Sequence, residues 1–396
     1  MHTFSFAGHF SWGGFTFTPS FICSLNYSDA ICGPMASRSE RLMANAPDMD
    51  AIVIANGGEN FLDSTYRYLL EPTGGVFEDC YIVVRKDGSQ DVIVNVLEEE
   101  SARTGRGDVK VFHNRSELES IFKESLEGCK RVGFNVDSVP YSTVTGIKKL
   151  TGYDYEVVDA RKAVADTVAI KDGKEIEAIR KACSISSKVA KELPDYLSEG
   201  VSETDVATRM EIRMQELGGR GLAFDTIAAF GPNSSMPHYM PADYRLKKGD
   251  AALFDFGCKW GGYCSDMTRT LFLGKPPEIL ERAYEVVREA QQAGIDAYRA
   301  GAMAKDADLA ARKIIDASEF KGKFIHSFGH GIGMDVHQPI YISPRSEQAL
   351  SAGNIVSAEP GIYIPGVGGI RIEDTVLITE DGCERLTDFP HELTVV

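Results

Sequence analysis

Between residues 172 and 374 one order of patterns runs twice: two stretches with helical spacing, then two short apolar runs turned back on each other at glycine. The first copy has helices over 172–197 and 203–217, then Leu253-Phe254-Asp255-Phe256, the turn Gly261-Gly262 and the return Ser265-Asp266-Met267-Thr268. The second has helices over 277–299 and 305–319, then Val356-Ser357-Ala358-Glu359, glycines between 366 and 369, and Arg371-Ile372-Glu373-Asp374. Helix pairs and hairpins that are each apolar on one face must bury that face against another layer, so the repetition predicts one domain of two like halves. The copies share little residue identity, which makes this a structural duplication. Asp172-x-x-Glu175 heads the first helix as a capping box, each side chain satisfying a backbone N–H that the first turn leaves free.

The preceding stretch is mixed. A helical piece over 39–45 is followed by β-branched runs at 50–54, 81–84 and 92–96, the latter two joined by the hairpin signal Lys86-Asp87-Gly88. We therefore expect an α/β (α+β) chain in three parts: an extension over 1–35, an N-terminal α/β domain over 36–162 and the duplicated domain over 163–396. Residues 1–35 hold six Phe, one Trp and one Tyr, with Asp29 alone carrying full charge, and fit either a dispensable leader or an added strand or arm. Nucleic acid and anionic membrane surfaces are disfavoured by a formal charge of -16. No apolar run reaches the ~18 residues of a membrane span. Eight cysteines without a CxxC pair read as reduced thiols, hence a cytoplasmic protein.

Within an antiparallel hairpin, Asp255 and Asp266 can share one face, opposite or diagonal to each other, and so can Glu359 and Glu373. If both hairpins lie in one sheet, four carboxylates converge on one surface. Four uncompensated anions would raise one another's pKa sharply, so the arrangement calls for bound cations, and two divalent ions would balance the charge. Histidine supplies a softer ligand: of eight in the chain, His326, His330 and His337 fall within twelve residues. The glycines at 329, 331 and 333 favour a loop or strand edge that approaches a ligand closely.

The ordered set Asp255, Asp266, His330, Glu359 and Glu373 resembles the pita-bread metallopeptidases. So do the strings AspPheGlyCysLysTrpGlyGlyTyrCysSerAspMetThrArgThr, HisSerPheGlyHisGlyIleGlyMetAspValHis, GluProGlyIleTyr and GlyIleArgIleGluAsp. The two-domain length is similar to the Xaa-Pro dipeptidase (prolidase) and aminopeptidase P branch, with a creatinase-like N-terminal domain before a pseudo-twofold pita-bread domain. The resemblance spans about 38–396. It implies that Asp255 holds one of two divalent ions (Mn, Co or Zn), that Asp266 and Glu373 bridge both, and that His330 with Glu359 completes the other. It also implies that a water between the ions attacks the bond before proline in a dipeptide or short peptide, with Glu359 taking its proton. His238 and His337 are then expected to contact substrate or the tetrahedral intermediate. His326 and Arg371 are expected around them, in contact with substrate or with the ligands. A homodimer is expected. The alternatives are aminopeptidase P action on longer peptides, a pita-bread protein that only binds, and a metal-free amidinohydrolase. Retention of all five ligands argues against the last two. Gln338 stands where many relatives carry Glu.

Overall fold

The computed structural model describes residues 36–396, so expectations about residues 1–35 lie outside the described residues. Residues 36–396 form one compact unit. Its N-terminal part is a six-stranded mixed sheet, in spatial order Asp108–Phe112, Gln90–Asn95, Tyr81–Arg85, Ala51–Ala55, Arg131–Phe134 and Glu156–Asp159. Alternation along Ala51–Ala55 sends Ile52 and Ile54 into one core and Ala51, Val53 and Ala55 into the other, so helices cover both faces. Arg38–Ala44, Ser64–Leu70 and Arg161–Ala169 pack on the first face, and Arg115–Ser125 and Tyr141–Thr151 on the second. Because Ala163 and Val168 are buried in that first core, we propose that the N-terminal domain runs through Ala169 and passes to the next at Ile170–Asp172.

The expected helices form as Gly173–Glu192, Glu203–Glu216, Glu278–Asp296 and Ala304–Ala317. The capping box is present: Asp172 Oδ1 accepts from the N–H groups of Lys174 and Glu175, and Glu175 accepts from the N–H of Asp172 at 3.0 Å.

Both hairpins form. In the first, Ala251–Phe256 pairs with Met267–Phe272 and Asp255 lies opposite Thr268, which puts Asp266 diagonal to Asp255 on the same face. In the second, one register runs from Ile355↔Leu377 to Ile364↔Gly368 and sets Glu359 opposite Glu373. The ladder breaks at these two acids. Pro360 has no N–H to give, the N–H of Glu359 turns to Phe328 O at 2.8 Å, and that of Glu373 turns to Thr268 O at 3.1 Å.

The hairpins do not share one sheet, contrary to the expectation. The first lies in a four-stranded sheet (Thr394–Val395, Met267–Phe272, Ala251–Phe256, Ile227–Phe230). The outer half of the second lies in a five-stranded one (Gln338–Ile342, Gly329–Gly331, Ile355–Ala358, Asp374–Ile378, Cys383–Arg385), and its tip forms a separate two-stranded ladder. Threonine hydroxyls stand in for ladder bonds at the seam. Thr375 Oγ1 donates to Asp266 O at 2.7 Å, and Thr270 Oγ1 accepts from the N–H of Arg371 at 3.2 Å. The carboxylates still converge because the seam runs beside them.

Behind the seam Arg269 is fully buried. Its Nη2 donates to Asp374 Oδ1 at 2.7 Å and its Nη1 to Thr268 O at 2.9 Å and to Glu373 O, while His391 Nε2 lies 2.6 Å from Asp374 Oδ2. Asp374→Asn keeps the shape and strands the guanidinium, so it is expected to cost about 3–5 kcal/mol, read from the denaturation midpoint. Burial alone would raise the pKa of Asp374, but Arg269 and His391 hold it well below the usual carboxylate range. Its contribution is therefore present above the ordinary pKa and lost as pH falls through the depressed one, so the gap between wild type and variant should narrow in acid. An unchanged midpoint at neutral pH would contradict the assignment.

Candidate metal centre

Asp266, His330 and Glu373 offer ligand atoms that all lie within 4.8 Å of one another, and all three residues are buried. Glu359 joins them through Oε1, 3.2 Å from His330 Nε2, and Asp266 Oδ2 lies 3.5 Å from the same nitrogen. His330 Nδ1 donates to Gly331 O at 3.2 Å, which orients the ring so that Nε2 faces the carboxylates. His330 sits on the short strand Gly329–Gly331, next to Ile355–Ala358. A Cβ at Gly329 would collide with Ser357 O, so glycine there is what lets the imidazole approach Glu359.

Three of the four acids are held from behind. Ser357 Oγ accepts from the N–H of His330 at 3.0 Å and donates to Glu359 Oε1 at 3.1 Å. Thr268 Oγ1 donates to Glu373 Oε2 at 2.6 Å and accepts from Arg371 Nε at 3.0 Å. Arg371 Nη2 pairs with Asp255 Oδ2, and Nη1 donates to Tyr363 Oη at 2.9 Å. Burial lowers the pKa of His326 and keeps it neutral, with Nδ1 donating to Ser327 O at 2.9 Å, so its Nε2 accepts from Tyr363 Oη at 2.8 Å. The chain His326, Tyr363, Arg371, Asp255 thus runs donor to acceptor without conflict. His326 accordingly stands three hydrogen bonds away from Asp255, and Arg371 contacts that acid directly.

Burial, then mutual repulsion, raises the pKa of Asp266 and Glu373, and burial raises that of Asp255 against the pull of Arg371. Glu359 goes the other way: burial is outweighed by its hydrogen bond to His330, which holds it at about 2. The donor set fits divalent ions on an observation independent of charge. Asp255 Oδ1 is buried and accepts no hydrogen bond, the only carboxylate oxygen so left among the described residues. An orphaned acceptor of this kind costs about 1–3 kcal/mol unless something binds it. Oxygen ligands with one imidazole suit Mn, Co or Zn.

The two other histidines expected near the substrate, His337 and His238, are exposed. His337 is exposed, with its ring edge-on to that of His330 at 4.1 Å between centroids. Partial desolvation and the neighbouring His330 and His238 hold its pKa down, against the pull of Glu359. His238 is exposed in the turn after Gly231–Ser235. Sequence reasoning passed over Thr268, Ser357 and Tyr363, although all three lie in or beside the motif strings. Thr268 was the most accessible of them, since it falls opposite Asp255 in any hairpin with this turn.

This fold and this cluster define a hydrolase dependent on divalent metal. Residues 177–380 match the model of metallopeptidase family M24 and residues 38–167 that of the creatinase/prolidase N-terminal domain, and the chain belongs to family M24, with the pita-bread fold. It is 40% identical over 273 residues to the Xaa-Pro dipeptidase of Pyrococcus horikoshii, covering 69% of this chain and 77% of that protein. Among solved structures, the Xaa-Pro dipeptidase from Bacillus anthracis superposes with a TM-score of 0.84 at 30% identity, covering 91% of this chain and 99% of that one. The X-Pro aminopeptidase from Thermotoga maritima gives 0.82 at 31% identity, covering 91% and 100%. Among the described residues no helix is long and apolar enough to cross a membrane.

Proposed function

We propose that the protein hydrolyses the Xaa-Pro bond of dipeptides with two divalent ions, held by Asp255, Asp266, His330, Glu359 and Glu373. The observation that carries the reading is the unpartnered, buried Oδ1 of Asp255, whose other oxygen is paired with Arg371, beside Glu373 and Glu359 that Thr268 and Ser357 already brace. Two dications against four carboxylates and one guanidinium leave one positive charge over, which when bound would polarise the scissile carbonyl and acidify a water. Glu359 accepts the proton of that water. Ser357 holds Glu359 in reach, and Thr268 aims Glu373. Arg371 fixes Asp255 and takes its own bearing from Tyr363 and His326. His337 and His238 donate to the oxygen on which charge develops as the carbonyl becomes tetrahedral. We place the enzyme in the cytoplasm, in keeping with six free thiols among the described residues, and take it to be a homodimer as the resemblance implies.

A panel of Xaa-Pro dipeptides and Xaa-Pro-Yaa tripeptides, assayed with Mn, Co or Zn, tests the reading. Higher kcat/KM on the dipeptides is expected. Preference for the tripeptides would move the protein to aminopeptidase P action, and hydrolysis of neither would overturn the reading.

A further inference from the structure

We infer that Lys171, in the link between the two domains, is a positioning residue for His337, acting through the side chain of Gln338; the inference rests on the proposed role of His337. Lys171 and Gln338 are both buried, and Lys171 Nζ donates to Gln338 Oε1 at 2.8 Å across 167 positions of sequence. The ammonium also donates to Ala169 O at 3.3 Å, and the backbone N–H of Lys171 donates to Gly353 O at 2.9 Å. One residue therefore ties the link, the loop before Ile355–Ala358 and the strand Gln338–Ile342 together.

The tie matters because backbone pairing is weakest there. The register of Gly329–Gly331 against Gln338–Ile342 slips between His330 and Gly331, so His330 faces Tyr341 while Gly331 faces Gln338. A bulge leaves residues unpaired and bends its strand, and Pro339 within it has no N–H to offer. His337, the residue just before this irregular start, carries a ring that must stay edge-on to His330 at 4.1 Å. What fixes residue 338, and with it the direction of residue 337, is its side-chain amide. That amide lies flat on Gly333, where any Cβ would collide with it, and is held at its far end by Lys171. Burying an ammonium against a neutral amide is costly, and burial pulls Lys171 down to about 8 although Glu175 opposes it. A purely structural tie could be made more cheaply by an apolar contact, whereas a hydrogen bond fixes direction.

The test compares metal-loaded wild type, Lys171→Met, Gln338→Met, Gln338→Glu, His337→Ala and the double variant Lys171→Met/His337→Ala. Misplacing a reacting group by about 1 Å costs up to about 100-fold, so kcat on an Xaa-Pro dipeptide should fall about 10- to 100-fold in Lys171→Met and in Gln338→Met. KM and metal stoichiometry should change little. Gln338→Glu, which keeps the acceptor, should retain kcat. In the His337→Ala background Lys171→Met should add no further loss, because the group it positions is gone. An unchanged kcat in both methionine variants, or the same fold loss with and without His337, overturns the inference. The His337 Cε1–H resonance of the metal-free protein gives a readout that does not depend on substrate choice. It should shift or broaden in Lys171→Met and Gln338→Met but not in Gln338→Glu. If wild type cleaves nothing in the panel, the functional reading fails while this resonance still decides the tie; an unmoved resonance refutes the tie itself. Should Lys171→Met not fold, Gln338→Met carries both readouts.

Discussion

Treatment with EDTA is expected to abolish hydrolysis of Xaa-Pro substrates, and one of Mn, Co or Zn is expected to restore it. Without cations the centre holds four carboxylates and a single guanidinium, and Asp255, Asp266 and Glu373 all have raised pKa values. Stripping the ions should therefore be accompanied by proton uptake at neutral pH, and reloading by proton release, because ligands must be deprotonated to bind. Affinity should weaken as pH falls through the raised carboxylate values, the direction in which protons compete with metal. Substitution at single ligands should grade the effect. Asp266 lies within ligand distance of His330 and Glu373, whereas Asp255 is tied to Arg371, so Asp266→Asn or Glu373→Gln should lose more metal than Asp255→Asn. Elemental analysis beside kcat on the same samples checks both points. Full activity in a preparation shown to be metal-free would remove the central claim, and equal occupancy across the three variants would remove the bridging assignment.

His337→Ala is expected to lower kcat by about 10²- to 10³-fold, the usual loss of about 2.7–4 kcal/mol for one donor to a developing oxyanion. Metal content and melting temperature should stay near wild type, because the ring is exposed and hydrogen-bonds to no ligand or core group in the structure. His238→Ala tests the same role at the second histidine. The outcome separates catalysis from packing: a structural histidine would lower the melting temperature and leave the kcat of the folded fraction unchanged. An unchanged kcat in His337→Ala takes it out of the mechanism, and with it the reason for the tie from Lys171.

Much of this protein was legible in its sequence for a local reason. The period of a strand is two and that of a helix 3.6, so neighbouring residues alone decide which side chains share a face. Asp255 with Asp266, Glu359 with Glu373 and the Asp172 to Glu175 cap follow from short-range geometry, and they form as that geometry requires. The separation of the hairpins into different sheets did not follow, because it depends on which strand edges meet and on threonine hydroxyls replacing ladder bonds at the seam. Nor did the pairing of Arg371 with Asp255, the route from Tyr363 to His326 or the reach of Lys171 to Gln338. Those contacts join residues far apart in the chain whose side chains have no periodic relation to one another. Their partners are chosen only when packed layers bring the elements together, and the same packing leaves one oxygen of Asp255 buried without a proton donor.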